Sequence, residues 1–175
     1  MSARFAPAGV EIRAARAADV PAIHAMIAAL AQFERLSDVH IATQQDITVA
    51  LFGPNAAAEV LLCIKDEKPV AFALFFHHFS TFLGRRGLWL EDLFVLPAYR
   101  RQGLGKALLR ALAALAVERG CGRFEWAVLD WNAPAIEFYR GLGATVLPDW
   151  RIVRIVGPAL DALAGESTAS EGRRG

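Results

Sequence analysis

Leu90-Glu91-Asp92-Leu93-Phe94-Val95-Leu96-Pro97-Ala98-Tyr99-Arg100-Arg101-Gln102-Gly103-Leu104-Gly105-Lys106-Ala107-Leu108-Leu109 is the stretch that decides the fold. A hydrophobic run stops at a proline, which cannot donate to a strand ladder. A basic turn with two glycines follows. A stripe at helical spacing (Leu104, Leu108, Leu112, Leu115) then begins, opposed by Lys106 and Arg110. The stretch therefore reads as a strand over residues 88–96, a turn, and a long helix over 103–119. A helix start carries unpaired N–H groups and roughly half a positive charge. Gly103 and Gly105 leave that start open to an anion, and Arg100, Arg101 and Lys106 add full charges. These features predict a pyrophosphate site. The dinucleotide pattern G-x-G-x-x-G fails because position 108 is Leu. The nucleotide pattern G-x-x-x-x-G-K-[ST] fails at Arg100 and Ala107.

Upstream, residues 10–15 alternate as a first strand, and Asp19 is the expected cap of a helix ending near Glu34. Thr43 and Asp46 predict a capping box for a short helix that Gly53-Pro54-Asn55 stops. Residues 59–65 and 70–79 read as a hairpin around a 66–69 turn, and Gly84-Arg85-Arg86-Gly87 as the next turn. Downstream, residues 124–129 read as a strand, Asn132 as the cap of a helix to about Arg140, and residues 150–156 as a last strand. The order predicts one α/β domain over residues 10–164, antiparallel first with a βαβ crossover later. Residues 1–9 are expected to be a flexible N-terminus and 165–175 a disordered tail.

Composition narrows the class. The 175 residues include 19 Lys+Arg and 18 Asp+Glu, a formal charge of +1, against the cationic excess a nucleic-acid coat needs. Hydrophobic residues make up 55% of the chain, enough for a sizeable core. No apolar stretch approaches the roughly 20 residues of a membrane span, and no signal-peptide core is visible. Cys63 and Cys121 suit small buried residues in a reducing compartment, with the cytoplasm as the expected location. His77-His78 lacks a second ligand cluster at metal spacing, so no metal is expected.

Arg100-x-x-Gly103-x-Gly105 after a strand resembles the acyl-CoA signature of the GNAT superfamily of N-acetyltransferases. Asn132-x-x-Ala135-Ile136-x-Phe138-Tyr139, closing at Gly143-Ala144, resembles that superfamily's second motif. Tyr139 stands seven residues after Asn132, close to two helical turns, so both emerge on one face. Leu90-Glu91-Asp92, Tyr99-Arg100, Trp131-Asn132 and Trp150-Arg151 resemble the spermidine/spermine (diamine) acetyltransferases. Residues 127–132 and Ser80-Thr81 are more similar to the thialysine N-acetyltransferase branch. The likeness spans about residues 10–156.

The resemblance implies a mixed, mostly antiparallel sheet with helices on both faces and two splayed parallel strands that hold acetyl-CoA. It implies cofactor contacts from the backbone of Leu93, Phe94 and Val95, from Arg100, Arg101, Gln102, Gly103, Leu104, Gly105 and Lys106, and from Asn132, Ala133, Pro134 and Ala135. It assigns Tyr139 as the acid on the CoA sulfur and Glu91 as the base for the ammonium. An ammonium must lose a proton before it can attack, so the chemistry needs that base. Substrate contacts map to Phe33, Glu34, Glu91, Asp92, Glu125, Trp126, Ala127 and Trp150. Thr81 replaces an acid of the polyamine branch, and the shorter loop before Trp150 leaves only Asp149. Both departures favour a thialysine- or lysine-like amine, or a short diamine, over long polyamines. The family also implies a homodimer, with the last strand as partner surface. Two other readings stay open: acetylation of a protein or peptide amine, and a non-catalytic acyl-CoA-binding module. The presence of both Glu91 and Tyr139 argues against the module.

Overall fold

A computed structural model describes residues 2–165. They divide into one unit up to Ala127 and a second from Val128. The first unit is built on a five-stranded sheet whose spatial order is its chain order: β1 (Glu11–Ala14), β2 (Glu59–Lys65), β3 (Lys68–Ser80), β4 (Arg85–Val95) and β5 (Arg123–Trp126). β1 to β4 are antiparallel, and β5 runs parallel to β4. α1 (Val20–Glu34) and α2 (Gln44–Phe52) connect β1 to β2, and α3 (Leu104–Glu118) makes the crossover that a parallel pair requires. The mixed sheet and crossover match the expected architecture.

Alternation divides the core between the two sheet faces. Val60, Leu62, Phe72 and Phe94 meet Ile23, Met26 and Leu30 of α1 and Leu51 of α2. Ala71, Ala73, Phe75, Leu88 and Leu90 turn the other way and are buried with the α3 stripe of Leu104, Leu108 and Leu112. Both helical layers thus press on β3 and β4, which carry the candidate site.

Local chemistry accounts for most of the boundaries. Thr43 Oγ1 accepts from the Asp46 N–H at 3.2 Å and the Asp46 carboxylate accepts from the Thr43 N–H at 2.8 Å, the expected capping box of α2. Asp19 does not cap α1. Its carboxylate takes two bonds from the Arg13 guanidinium, 2.7 and 2.9 Å, and a third from the Arg16 N–H, 2.7 Å. A bidentate charge-assisted pair outcompetes a single cap bond. The first hairpin turns on two residues, Asp66 and Glu67, both at positive φ (49° and 63°), so β3 begins at Lys68, inside the expected turn. β4 likewise starts earlier than expected, at Arg85.

Two strand expectations need correction. β5 ends at Trp126, short of residue 129. Residues 151–156 form no strand: Ile152 and Val153 are 71% and 91% exposed. Alternation supplies a strand's pattern, but a ladder needs a neighbour, and the described residues of the second unit include no strand. That unit instead holds α4 (Ala133–Arg140) and α5 (Pro158–Leu163), the latter unannounced by the sequence reading. Asn132 caps α4 as expected, its Oδ1 accepting from the Ala135 N–H at 3.3 Å. At the other end of the chain, Ser2–Phe5 form a short 3-10 helix, with the Arg110 guanidinium 5.2 Å over the Phe5 ring. The expected tail falls, from residue 166 on, outside the described residues.

Candidate functional site

The site begins with a register irregularity. Leu74 pairs with Asp92 and Phe75 with Leu90, so Glu91 is the extra residue of a β-bulge on β4. Simple alternation would put Glu91 and Asp92 on opposite faces. The bulge changes which face follows it. Before it, Leu90 lies opposite Phe75, on the α3 side; after it, Asp92 and Phe94 lie opposite Leu74 and Phe72, on the α1 side. Trp89 lies opposite Phe76, on that same α1 side, and its Nε1–H donates to Glu91 Oε2 at 2.8 Å. Trp89, Glu91 and Asp92 therefore share one face. The β4–β5 ladder also stops here, running only from Gly87↔Arg123 to Leu90↔Trp126. From Glu91 to Val95, β4 has no ladder to β5. Those backbone groups, including Leu93, Phe94 and Val95, line the open end of the parallel pair.

The electrostatics of this face are acidic. The Asp92 carboxyl is pushed up to about 6, first by burial, then by the charges of Glu91 and Glu34. Glu34, the last residue of α1, is raised by burial. The charges of Glu34, at the end of α1, and Glu91, at the bulge of β4, thus both act on Asp92. Such a cluster favours a cation and resists full ionisation without one.

The neighbouring loop has the opposite sign. Leu96 leads into a 3-10 turn at Pro97–Tyr99, and Gly103, at φ 79°, opens α3 with no side-chain cap. Arg101 is also in the left-handed region, at φ 64°. Alternating backbone handedness turns successive N–H groups to one side, a concavity suited to an anion. A Cβ at Gly103 would meet nothing within 4 Å and one at Gly105 only Val95 Cγ2 at 3.9 Å, so the helix mouth is open. Arg101 and Lys106 are exposed beside it. The donor set, all N–H and cation with no acid in the first turn of α3, fits a pyrophosphate. Gln102 is tied instead to Lys65, whose Nζ donates to its Oε1 at 2.9 Å.

Arg100 is placed differently from the other loop cations. Its guanidinium lies 5.0 Å from the Phe33 ring and 5.6 Å from Phe94, and its Nε donates to the Val95 carbonyl at 3.1 Å. It fastens the end of α1 to the end of β4, so Phe33 and Glu34 are held beside the bulge. Glu125, on β5, is already met by Arg123 Nε at 2.6 Å and His78 Nε2 at 3.0 Å. Trp126 packs on Phe124 at 4.9 Å between centroids, and Ala127 follows the end of β5. In the second unit, Asn132 caps α4, Ala133, Pro134 and Ala135 form its first turn, and Tyr139 lies near its end, half-buried, with its ring 5.4 Å from Phe138. Trp150 is 75% exposed in a stretch without regular structure.

The sequence reading missed Trp89 as the partner of Glu91, although an aromatic N–H donor two residues away on one strand was the available signal. It also missed Lys65, for which a residue 37 positions upstream of Gln102 leaves no sequence signal. Cys63 is fully buried and its thiol is pushed up to about 12 by burial, which makes it inert as an acyl carrier. Among the described residues no helix is long and apolar enough to cross a membrane, and no group of three His, Cys, Asp or Glu could hold a metal ion.

Comparison with known proteins bears on this geometry. Residues 25–144 match the family described as the Acetyltransferase (GNAT) family. An L-ornithine N5-acetyltransferase of Arabidopsis thaliana is 34% identical over 197 residues, covering 87% of this chain and 86% of that protein. A thialysine N-epsilon-acetyltransferase of Sus scrofa is 36% identical over 170 residues, covering 91% and 99%. Among solved structures, an integron cassette protein from the mobile metagenome of V. cholerae superposes with a TM-score of 0.76 at 25% identity, over 89% of this chain and 98% of that one. A ribosomal-protein-alanine N-acetyltransferase of Brucella melitensis shares the fold, with a TM-score of 0.65 at 22% identity over 85% and 99%.

Proposed function

The chain belongs to the GNAT acetyltransferase family and is an acetyl-CoA-dependent N-acetyltransferase, and from that premise we propose that its acceptor is the side-chain or terminal amine of a small cation such as ornithine, thialysine or a short diamine. The observation that carries this reading is the convergence of Glu34, Glu91 and Asp92 on one face beside an anion-binding helix mouth. Thialysine and ornithine are the acceptors named for the two relatives above. The single acid near Trp150 and the neutral Thr81 support a short acceptor.

Acetyl-CoA supplies an acetyl group already activated as a thioester. The N–H groups from Arg101 to Lys106 would hold its pyrophosphate, and the open backbone of Leu93, Phe94 and Val95 its acyl arm. Carboxylates at the bulge draw in the ammonium and orient it. The proton for the leaving sulfur is assigned to Tyr139 on motif spacing and on its place in the Asn132-capped helix. Buried, raised Cys63 speaks for direct transfer, with no acyl-enzyme. The two free cysteines suit a reducing compartment, and we place the protein in the cytoplasm on that ground.

The test is thiol release from acetyl-CoA across thialysine, lysine, ornithine, putrescine, spermidine and short peptides, with product masses. Ornithine or thialysine should give the highest kcat/KM. Turnover with peptides alone would overturn the acceptor class, and acetyl-CoA binding without thiol release would leave the non-catalytic module. Tyr139→Phe should lower kcat by about 100-fold while acetyl-CoA affinity changes little. Equal losses in both would remove Tyr139 from the acid role.

A further inference from the structure

Resting on the reading of a small-amine acetyltransferase, we propose that Arg123 of β5 binds a carboxylate on the acceptor, which makes the acceptor an α-amino acid and not a diamine.

A row of contacts leads away from the bulge along one face of the sheet. Glu91 Oε2 accepts from the Trp89 indole N–H at 2.8 Å. The His78 ring stands edge-on to Trp89, 6.2 Å between centroids. His78 pairs with Gly87, where a Cβ would stand 2.1 Å from His78 Nε2. The missing side chain lets His78, on β3, cross over β4 and reach β5. There its Nε2 lies 3.0 Å from Glu125 Oε2, a close approach without hydrogen-bond geometry. The same oxygen is 2.6 Å from Arg123 Nε. Arg123 and Glu125 lie opposite Gly87 and Trp89 in the parallel ladder, so alternation puts both on this face.

The row ends in a pair of opposite charges. Arg123 meets Glu125 through Nε, while its two terminal nitrogens hydrogen-bond to no described group. Its side chain is 39% exposed, so that fork is open to a carboxylate, which it can grip bidentately. Glu125, beside it, complements an ammonium. An α-amino acid carries a carboxylate and an ammonium on one carbon, and Arg123 and Glu125 present the matching charges side by side. A diamine has no carboxylate, and would bring its second ammonium up to a guanidinium, an unfavourable pairing.

The spacing suits a single short chain. Gly87, opposite Arg123, precedes Glu91 by four residues with one bulged, about 10–13 Å along a strand. An extended arginine side chain and the carbon chain of ornithine together span that gap. Between the two charged ends lies Trp89, half-buried and backed by Phe76 at 6.5 Å, an apolar floor for the methylenes. The acids at the bulge then draw in the reacting ammonium, and the β5 pair holds the amino-acid end.

The experiment measures thiol release from acetyl-CoA with two matched pairs, ornithine against putrescine and lysine against cadaverine. Each pair differs by the carboxylate alone. Ornithinamide, which keeps the α-amine and loses the negative charge, is the third probe. The wild type should favour ornithine over both putrescine and ornithinamide by at least about 30-fold in kcat/KM. Arg123→Gln should raise KM for ornithine about 30-fold and leave kcat, acetyl-CoA affinity and putrescine turnover within about twofold. Arg123→Lys should recover part of the loss, a point charge replacing a fork. Equal losses for ornithine and putrescine in Arg123→Gln would overturn the inference and make Arg123 a brace for Glu125. So would a wild type that takes ornithinamide as well as ornithine, a comparison that needs no variant to fold. A wild type that prefers putrescine or spermidine also overturns it, and leaves the small-amine acetyltransferase standing. Acetylation of peptides alone, or acetyl-CoA binding without transfer, takes down that reading and the inference with it.

Discussion

Two groups of carboxylates in the first unit do opposite things. Asp19 takes a bidentate pair from Arg13, and Glu59 takes one from Arg119, Nη1 to Oε1 and Nη2 to Oε2, the second at 2.8 Å. Both carboxyls are held below their ordinary values, chiefly by those guanidinium hydrogen bonds. Asp92 and Glu34 are instead raised, chiefly by burial. The paired acids join β1 to the start of α1, and β2 to the end of α3. The raised acids, Glu34 at the end of α1 and Asp92 after the bulge of β4, have no cation among the described groups that shift them. A fold gains nothing from gathering like charges, so the second group suits a cation arriving from outside, as the proposed acceptor would.

Substitution should therefore move stability in opposite directions. The largest effect is at Asp92. A raised acid favours folding when protonated, and that contribution is fully present below its unfolded value, near 4, and lost as pH rises through about 6. Asp92→Asn should therefore raise the unfolding free energy by up to about 2 kcal/mol at pH 8 and leave it unchanged near pH 4, by urea melts. A neutral-pH loss would show that Asp92 belongs with the structural acids. Asp19 has the reverse sign. Its lowered carboxyl stabilises above the unfolded value, and the contribution fades as pH falls through the folded one. Asp19→Ala should cost about 1–2 kcal/mol at pH 7, with the deficit shrinking in acid, and kcat of the folded fraction should stay unchanged.

This contrast was only partly legible in the amino-acid sequence. The strand, turn and helix around Gly103 were readable because Pro97, the glycines and the Leu104 stripe are local signals. The Thr43–Asp46 box was readable for the same reason. Asp19 has the sequence context of a cap because its competitor, Arg13, lies on the preceding strand and meets it only once β1 and α1 pack. The bulge at Glu91 depends on the register against Leu74 and Phe75, which no single strand encodes. Placing Glu91 and Asp92 on one face therefore required the sheet. The expected strand over residues 150–156 shows the converse error, a pattern without a neighbour to pair with.

A smaller effect tests what Trp89 does for Glu91. Trp89→Phe keeps an aromatic body between Phe76 and His78 but removes the N–H that fixes Glu91. A hydrogen bond to a charged group contributes about 1.5–3 kcal/mol, and its loss from an exposed carboxylate should fall at or below the lower end. KM for the amine should rise about tenfold, with kcat little changed. A fall in kcat instead would put the Trp89–Glu91 bond in the proton-transfer step.

The smallest effect belongs to the cationic side. Lys65 reaches from the end of β2 to Gln102 and lies 5.8 Å over the Tyr99 ring, bracing the loop. The contact is exposed, so its contribution is a few tenths of a kcal/mol up to about 1. Lys65→Ala should raise KM for acetyl-CoA by about threefold and leave kcat and amine KM unchanged, because the loop's N–H groups still form the anion site but are less firmly held. Lys65→Arg should restore most of the affinity, since a guanidinium can still donate to the Gln102 carbonyl. An equal loss in amine KM would mean that the loop and the acidic face move together, coupled through Arg100 on Phe33, Phe94 and Val95. An unchanged amine KM leaves the anion loop and the acidic face as separately tunable binding surfaces.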